Sequence, residues 1–320
     1  MPRPSTIAHF YAHSYAPYNP QRPRTRKGYS QAIAEFSAHL TAGNSRRAAR
    51  LDELTDANLA AAMQATIDRG NSTATANKLR RHLLTIWNAA IAAGQLTKPC
   101  RVKPYPKAKH ERRTWDADEF QRILDAASDL DGWVGEITAH AWWTALLFTI
   151  GNTGGRVSAV MSAATADLDT ARGDLLLKAD NQKQNADQRF ALAAETLDAI
   201  AATRPGDRRQ LFPWPYDDNA ATNGDWKTLT RHYKRILKAA GLRTGRTDLF
   251  HSLRAMVATW IADAQGIDAA RDYLGHSDNR VTAAYLDRSQ MSTRRDARAV
   301  LPIFKTETEA PIRLATGTGD

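Results

Sequence analysis

The sequence predicts a mainly α-helical chain of two domains, the second interrupted by a small antiparallel β-sheet or hairpin. Three observations lead there. Apolar residues recur at helical spacing, most clearly at Leu79, Leu83, Ile86, Trp87, Ala90 and Ile91. The helical period breaks between Leu175 and Leu192. A basic stretch with three prolines, 98–113, separates the two helical halves as an interdomain linker would. With 320 residues, 42% of them hydrophobic, the chain can bury a core in each half and is too apolar to be disordered.

Taken in order, residues 1–27 contain no Asp or Glu but carry Arg3, Arg22, Arg24, Arg26, Lys27 and five prolines. That composition reads as a flexible basic arm. Residues 28–97 form the first helical domain. Its best helix starts after N-cap candidates Ser72, Thr73 and Thr75 and stops at Gly94. Lys78, Arg80, Arg81 and His82 crowd its first turns, where cations are disfavoured by the helix dipole unless an anion such as a phosphate sits nearby. The linker adds Arg101, Lys103, Lys107 and Lys109 to the candidate phosphate contacts.

The second domain spans 114–305. Asp116 and Glu119 have capping-box spacing ahead of Phe120, Ile123 and Leu124. Further helices are expected at Val134–Ile150, Leu229–Ala240 (stopped by Gly241) and Leu249–Ala264. Leu175–Leu177 and Gln188–Leu192 flank a polar stretch and suggest a hairpin. Residues 306–320 read as a frayed tail.

The charge balance is +10, which points to a polyanionic partner such as nucleic acid. One cysteine, Cys100, rules out an intramolecular disulfide and any multi-cysteine metal site, and fits a reducing cytoplasm. No signal peptide is visible at the start, and the most apolar run, Ala141–Ile150, is too short to span a bilayer. No acidic cluster has metal-ligand spacing, so neither metal nor cofactor is expected.

Four segments of the second domain carry the chemistry. Thr153-Gly154-Gly155-Arg156 turns the chain sharply and presents a guanidinium, whose fork of donors suits a phosphate. Lys183 lies in the polar tip of the hairpin, with Lys178 as a rival. His251 and Arg254, three apart, share a helix face and pair a proton-exchanging group with a phosphate-binding one. Leu274-Gly275-His276 precedes Tyr285, and Ser277 or Asp278 can cap a helix carrying that tyrosine. Each segment alone is a common surface feature. Their order is not.

Arg156, Lys183, His251-x-x-Arg254, Gly275-His276 and Tyr285, in that sequence, resemble the tyrosine recombinase family of phage-integrase type. The resemblance covers roughly residues 28–288 and makes 28–97 a core-binding domain and 114–305 a catalytic domain. It implies attack by Tyr285 on a scissile phosphate, giving a 3′-phosphotyrosyl link and a free 5′-hydroxyl. Arg156 and Arg254 would hold the non-bridging oxygens, His251 act as general base, Lys183 protonate the leaving oxygen and His276 donate to the phosphate. The implied partner is a double-stranded recombination site, bound by a chain that is monomeric in solution and tetrameric on DNA, with accessory DNA-bending proteins and association with the nucleoid. The apolar residues Val300, Leu301, Ile303 and Phe304 would then dock on a neighbouring protomer. One departure stands out: the family's acid three residues after the first arginine is here Ala159, so Arg156 needs another group to orient it. Alternative readings are a decayed integrase that only binds DNA, and a type IB topoisomerase.

Overall fold

A computed structural model describes residues 5–41, 47–106, 112–182, 184–206, 208–214, 224–245 and 249–291. Lys183, Lys107, Lys109 and the C-terminal apolar segment lie outside the described residues. The chain divides into two compact units, residues 1–110 and 111–320.

The first unit is helical throughout. Helix α1 (Ile7–Phe10) is followed by α2 (Pro23–Leu40), α3 (Asp56–Asp68) and α4 (Thr73–Ala92). Thr55 and Ser72 accept backbone N–H bonds at the starts of α3 and α4. Gly94, at φ +69°, carries the chain out of α4 in the left-handed conformation open to glycine. Phe36, Leu59, Leu83, Ile86 and Trp87 meet in its core.

Two parts of this unit differ from what composition suggests. Residues 5–18, expected within a flexible arm, fold: Ile7 and Phe10 are fully buried, and Tyr11 stacks on Tyr29 at 5.3 Å. Backbone bonds from Ile7 N to Ala49 O and from Leu51 N to Ser5 O tie the segment down. The apolar trio at i, i+3 and i+4 was hidden among prolines and cations. The described part of the expected linker is also no free tether. Trp87 Nε1 donates to Lys98 O, Arg80 Nε to Val102 O, and the Asn77 amide exchanges two bonds with the Tyr105 backbone. Arg101 pairs with Asp56. Arg80 is therefore committed to structure, whereas Lys78, Arg81 and Lys103 are exposed.

The second unit is built around α6 (Ala139–Thr153), whose Trp142, Trp143, Leu146, Leu147 and Ile150 are all buried. Helix α5 (Ala117–Ser128) opens with the expected capping box between Asp116 and Glu119. Residues expected to begin the next helix instead form a two-residue hairpin, β1 (Trp133–Val134) with β2 (Ile137–Thr138). Gly132 and Gly135, both at positive φ, allow its turns. After α7 (Val157–Met161) come β3 (Leu168–Asp169), β4 (Asp174–Leu177) and β5 (Gln188–Ala191), an antiparallel sheet in that order, with Leu175 opposite Phe190. The expected hairpin is its β4–β5 pair. Helices α8 (Ala194–Ala202), α9 (Gly224–Ala239), α10 (Phe250–Gln265), α11 (Ile267–Leu274) and α12 (Asn279–Ala283) complete the unit.

Because Phe10 is 1% exposed, Phe10→Ala should destabilise the first unit by about 3–5 kcal/mol. Urea unfolding of the full chain reads this directly, and an unchanged midpoint would return residues 5–18 to the status of an arm.

Candidate active site

The site forms where the ends of three helices meet. Helix α6 stops at Gly154, which is left-handed at φ +59°. A Cβ there would lie 2.7 Å from Leu274 Cδ2 and 3.0 Å from Val257 Cγ1, so only glycine lets α6 end against α10 and α11. Thr153 Oγ1 accepts from Gly155 N at 3.0 Å and fixes the turn. The chain then delivers Arg156 at the N-cap of α7.

Arg254, on the first turns of α10, is 2% exposed and reaches across the junction. Its guanidinium donates to Gly154 O at 2.7 Å and Leu274 O at 2.8 Å, and meets His276 Nε2 at 3.0 Å. Its Nε is buried without a partner. Burial and the nearby Arg156 push its pKa down to about 10, while the Tyr285 phenol beside it favours the charged form.

His276 follows the left-handed Gly275 at the end of α11 and is 8% exposed. Its Nδ1 lies 2.9 Å from Thr282 Oγ1. A guanidinium can only donate, so Nε2 accepts from Arg254 and the proton belongs on Nδ1, facing Thr282. Burial, then Arg254, Arg156 and His251, lower its pKa to about 4. His251, at the start of α10, is also lowered to about 4, by burial of its packed face and by Arg112, Arg254 and Arg156. The residue keeps an exposed edge, so the three cations are the firmer cause.

Tyr285 is half-buried among these groups. Its ring centroid is 4.8 Å from that of His251 and 5.1 Å from that of His276, and the Arg254 Cζ lies 5.8 Å from it. It does not sit on a helix. Asp278 caps α12 as expected, but α12 ends at Ala283 and Tyr285 occupies the turn beyond, its N bonded to Thr282 O at 2.8 Å. Buried Asp287 anchors that turn by accepting from Thr114 N at 2.7 Å and Ser289 Oγ at 2.5 Å.

Five of the six expected catalytic residues, Arg156, His251, Arg254, His276 and Tyr285, thus converge; the sixth, Lys183, lies outside the described residues. Its rival Lys178 forms an ion pair with Asp167 at 2.7 Å. Spacing had not pointed to two further residues. Gln184 accepts from the Arg156 guanidinium and donates to Gln188 Oε1 at 2.8 Å, orienting the arginine beside a buried Ala159. Arg112 lies with its Cζ 5.3 Å from the Tyr285 ring centroid. In the sequence it is one more cation of a basic stretch. Among the described residues, no His, Cys, Asp or Glu cluster is placed to hold a metal ion, and no helix is long and apolar enough to cross a membrane.

A sequence model described as the phage integrase family matches residues 113–291, the stretch that supplies Arg156, Gln184, His251, Arg254, His276 and Tyr285. The chain belongs to the phage integrase family. Among solved structures, this integrase-family chain resembles a lambda integrase tetramer bound to a Holliday junction, with TM-score 0.70 and 19% identity over 93% of this chain and 82% of that one. It also resembles a lambda integrase dimer on a core site, with TM-score 0.64 and 21% identity over 91% and 94%. The Tn1549 transposon integrase with circular-intermediate DNA gives TM-score 0.68 and 14% identity over 88% and 95%. At these identities the likeness is one of fold. A comparison with curated protein sequences finds no match.

Both histidines should stay neutral well below the ordinary imidazole range. Following their ring protons by NMR, we expect His251 and His276 to titrate near pH 4, and titration near 6.5 would mean the cationic cluster is not assembled. Between those values the unfolded chain binds more protons than the folded one, so these groups make stability fall as pH drops from about 6.5 towards 4.

Proposed function

We propose that the chain is a site-specific DNA recombinase that cleaves and rejoins strands through a covalent 3′-phosphotyrosyl intermediate at Tyr285. The observation that carries this reading is the packing of the Tyr285 ring against two neutral imidazoles and a buried guanidinium. Such a pocket suits a phosphodiester. It offers cationic donors for the non-bridging oxygens and unprotonated nitrogen for the phenolic proton.

In this mechanism the phenolic O–H of Tyr285 breaks, its proton passes to His251, and an Oη–P bond forms as the P–O5′ bond breaks. Lys183 supplies the proton to the departing oxygen. Arg156 and Arg254 stabilise the charge on the phosphoryl oxygens. Of the five N–H donors of Arg254, three are directed at Gly154 O, Leu274 O and His276, leaving Nε–H and one further N–H. For His276 to donate to the phosphate its Nε2 must gain a proton and release Arg254. Bringing in an anion favours that change, because a phosphate offsets the guanidinium field that holds the imidazole neutral. The phosphotyrosyl ester retains the energy of the original linkage, so rejoining needs no external energy source.

The partner in this reading is a double-stranded recombination site. Residues 28–97 would serve as its core-binding domain and 114–305 as the catalytic domain. Lys78, Arg81, Arg101, Lys103, Lys107 and Lys109 would contact phosphates. A monomer assembling into a tetramer on DNA accords with the lambda integrase tetramer seen on a Holliday junction. Accessory DNA-bending proteins and a place at the nucleoid complete the proposal.

Incubated with a nicked suicide substrate, the wild-type chain should form a covalent adduct and Tyr285→Phe should form none. An adduct persisting in the phenylalanine variant would remove Tyr285 from the mechanism, and its absence in wild type would favour a DNA-binding protein without activity. Arg156→Ala should slow cleavage on the order of a hundredfold while leaving DNA affinity largely intact; parallel loss of binding would make Arg156 a phosphate anchor only.

A further inference from the structure

We propose that Arg112 is a further residue of the cleavage machinery, its guanidinium stabilising the negative charge that develops on the Tyr285 phenol during attack. This rests on the reading of Tyr285 as the nucleophile. Arg112 is half-buried, with its Cζ 5.3 Å from the centre of the tyrosine ring. Among the described residues it has no ion pair with a carboxylate, and its one hydrogen bond is a long one, 3.4 Å, from a terminal nitrogen to His251 O. Its Nε is buried without a partner. A partly desolvated cation held against an aromatic ring, with no described carboxylate to offset it, is an expensive arrangement for mere packing.

The chemistry gives that expense a use. A guanidinium over a neutral phenol gains only a modest cation–π attraction. As the O–H bond breaks, negative charge spreads from the oxygen into the ring, and the same guanidinium then gains direct Coulombic attraction. The interaction is stronger in the transition state than in the ground state, which is the condition for accelerating a step. Arg112 neither gains nor loses a proton. Once Oη is esterified to phosphorus the charge has left the ring, and the extra attraction disappears. In rejoining, the phenolate is the leaving group and the stabilisation returns. Arg112 should therefore speed cleavage and rejoining by the same factor and leave the equilibrium fraction of covalent complex unchanged.

The groups facing Tyr285 are Arg112 from the segment before α5, His251 and Arg254 from α10, and His276 after α11, with Arg156 of the α7 N-cap behind them. Asp287 lies on the same turn and is turned to Thr114. The two histidines are already neutral above about pH 4, so they do not titrate across the neutral and alkaline range.

The test uses the full chain on a nicked suicide substrate from pH 6 to 9, comparing wild type with Arg112→Met and Arg112→Lys. Arg112→Met should form adduct about tenfold more slowly at neutral pH. Arg112→Lys, which keeps the charge, should recover part of the rate. Rejoining from a preformed adduct should slow by the same factor. DNA affinity, measured in a Tyr285→Phe background, should not change. An unaltered rate in Arg112→Met would overturn the proposal, as would a loss of affinity that matches the loss of rate. Should wild type itself form no adduct, the reading of Tyr285 falls and Arg112 falls with it; a wild-type adduct with an unimpaired Arg112→Met removes Arg112 alone.

Discussion

The burial of Arg254 is the constraint on which the rest of the site depends. A guanidinium 2% exposed must find acceptors, and among the described residues it finds no carboxylate. It takes instead the carbonyl of Gly154, the carbonyl of Leu274 and a nitrogen of His276. Each of those acceptors lies at a helix end or just beyond one. Two glycines at positive φ, Gly154 and Gly275, make the close approach sterically possible. The geometry of the three helix ends and the solvation of one side chain are thus the same problem with one solution. Uncompensated charge is the product: the cluster holds its histidines neutral and leaves donors unused, as a site prepared for an anion must.

The hairpin joins this arrangement through glutamines. Gln184 holds Arg156 by an amide oxygen, which orients a guanidinium without neutralising it. Gln188 Nε2 reaches Tyr273 O at 3.3 Å, so the sheet touches the end of α11 as well. Because Gly275 approaches those amides so closely that a Cβ would lie 2.6 Å from one of them, the turn before His276 and the hairpin are packed as a unit.

Much of this was legible in the sequence, and for a physical reason. Caps, the β4–β5 hairpin and the pairing of His251 with Arg254 depend on spacing within a few residues. Ser72, Asp116, Gly94 and Asp278 therefore act where local chemistry places them. Properties arising between distant segments were not legible. Arg112 and Tyr285 are far apart in the chain, and nothing in a run of linker cations distinguishes the one that meets an aromatic ring. Gln184 in the role of an absent acid depends on how the hairpin folds over Arg156. Residues 5–18 were misread for the opposite reason: global composition, rich in proline and charge, outweighed three apolar residues that find a core. Tyr285 lies two residues past the end of α12, within the usual uncertainty of element ends.

The bonds around Thr114 have a bearing on when such a site exists at all. Thr114 N is tied to Asp287, its hydroxyl donates to Ser252 O, and Gln290 returns a bond to its carbonyl. The contacts to Asp287 and Gln290 each close a loop of more than 170 residues, from the start of the second unit to nearly the last described residue. Contacts of such sequence separation form late and only in a complete chain. During synthesis, the turn bearing Tyr285 would emerge from the ribosome after Thr114, His251, Arg254 and His276, which it packs against. A prematurely terminated chain would carry the arginines and His251 without the tyrosine, and on the reading proposed above it would at most hold DNA.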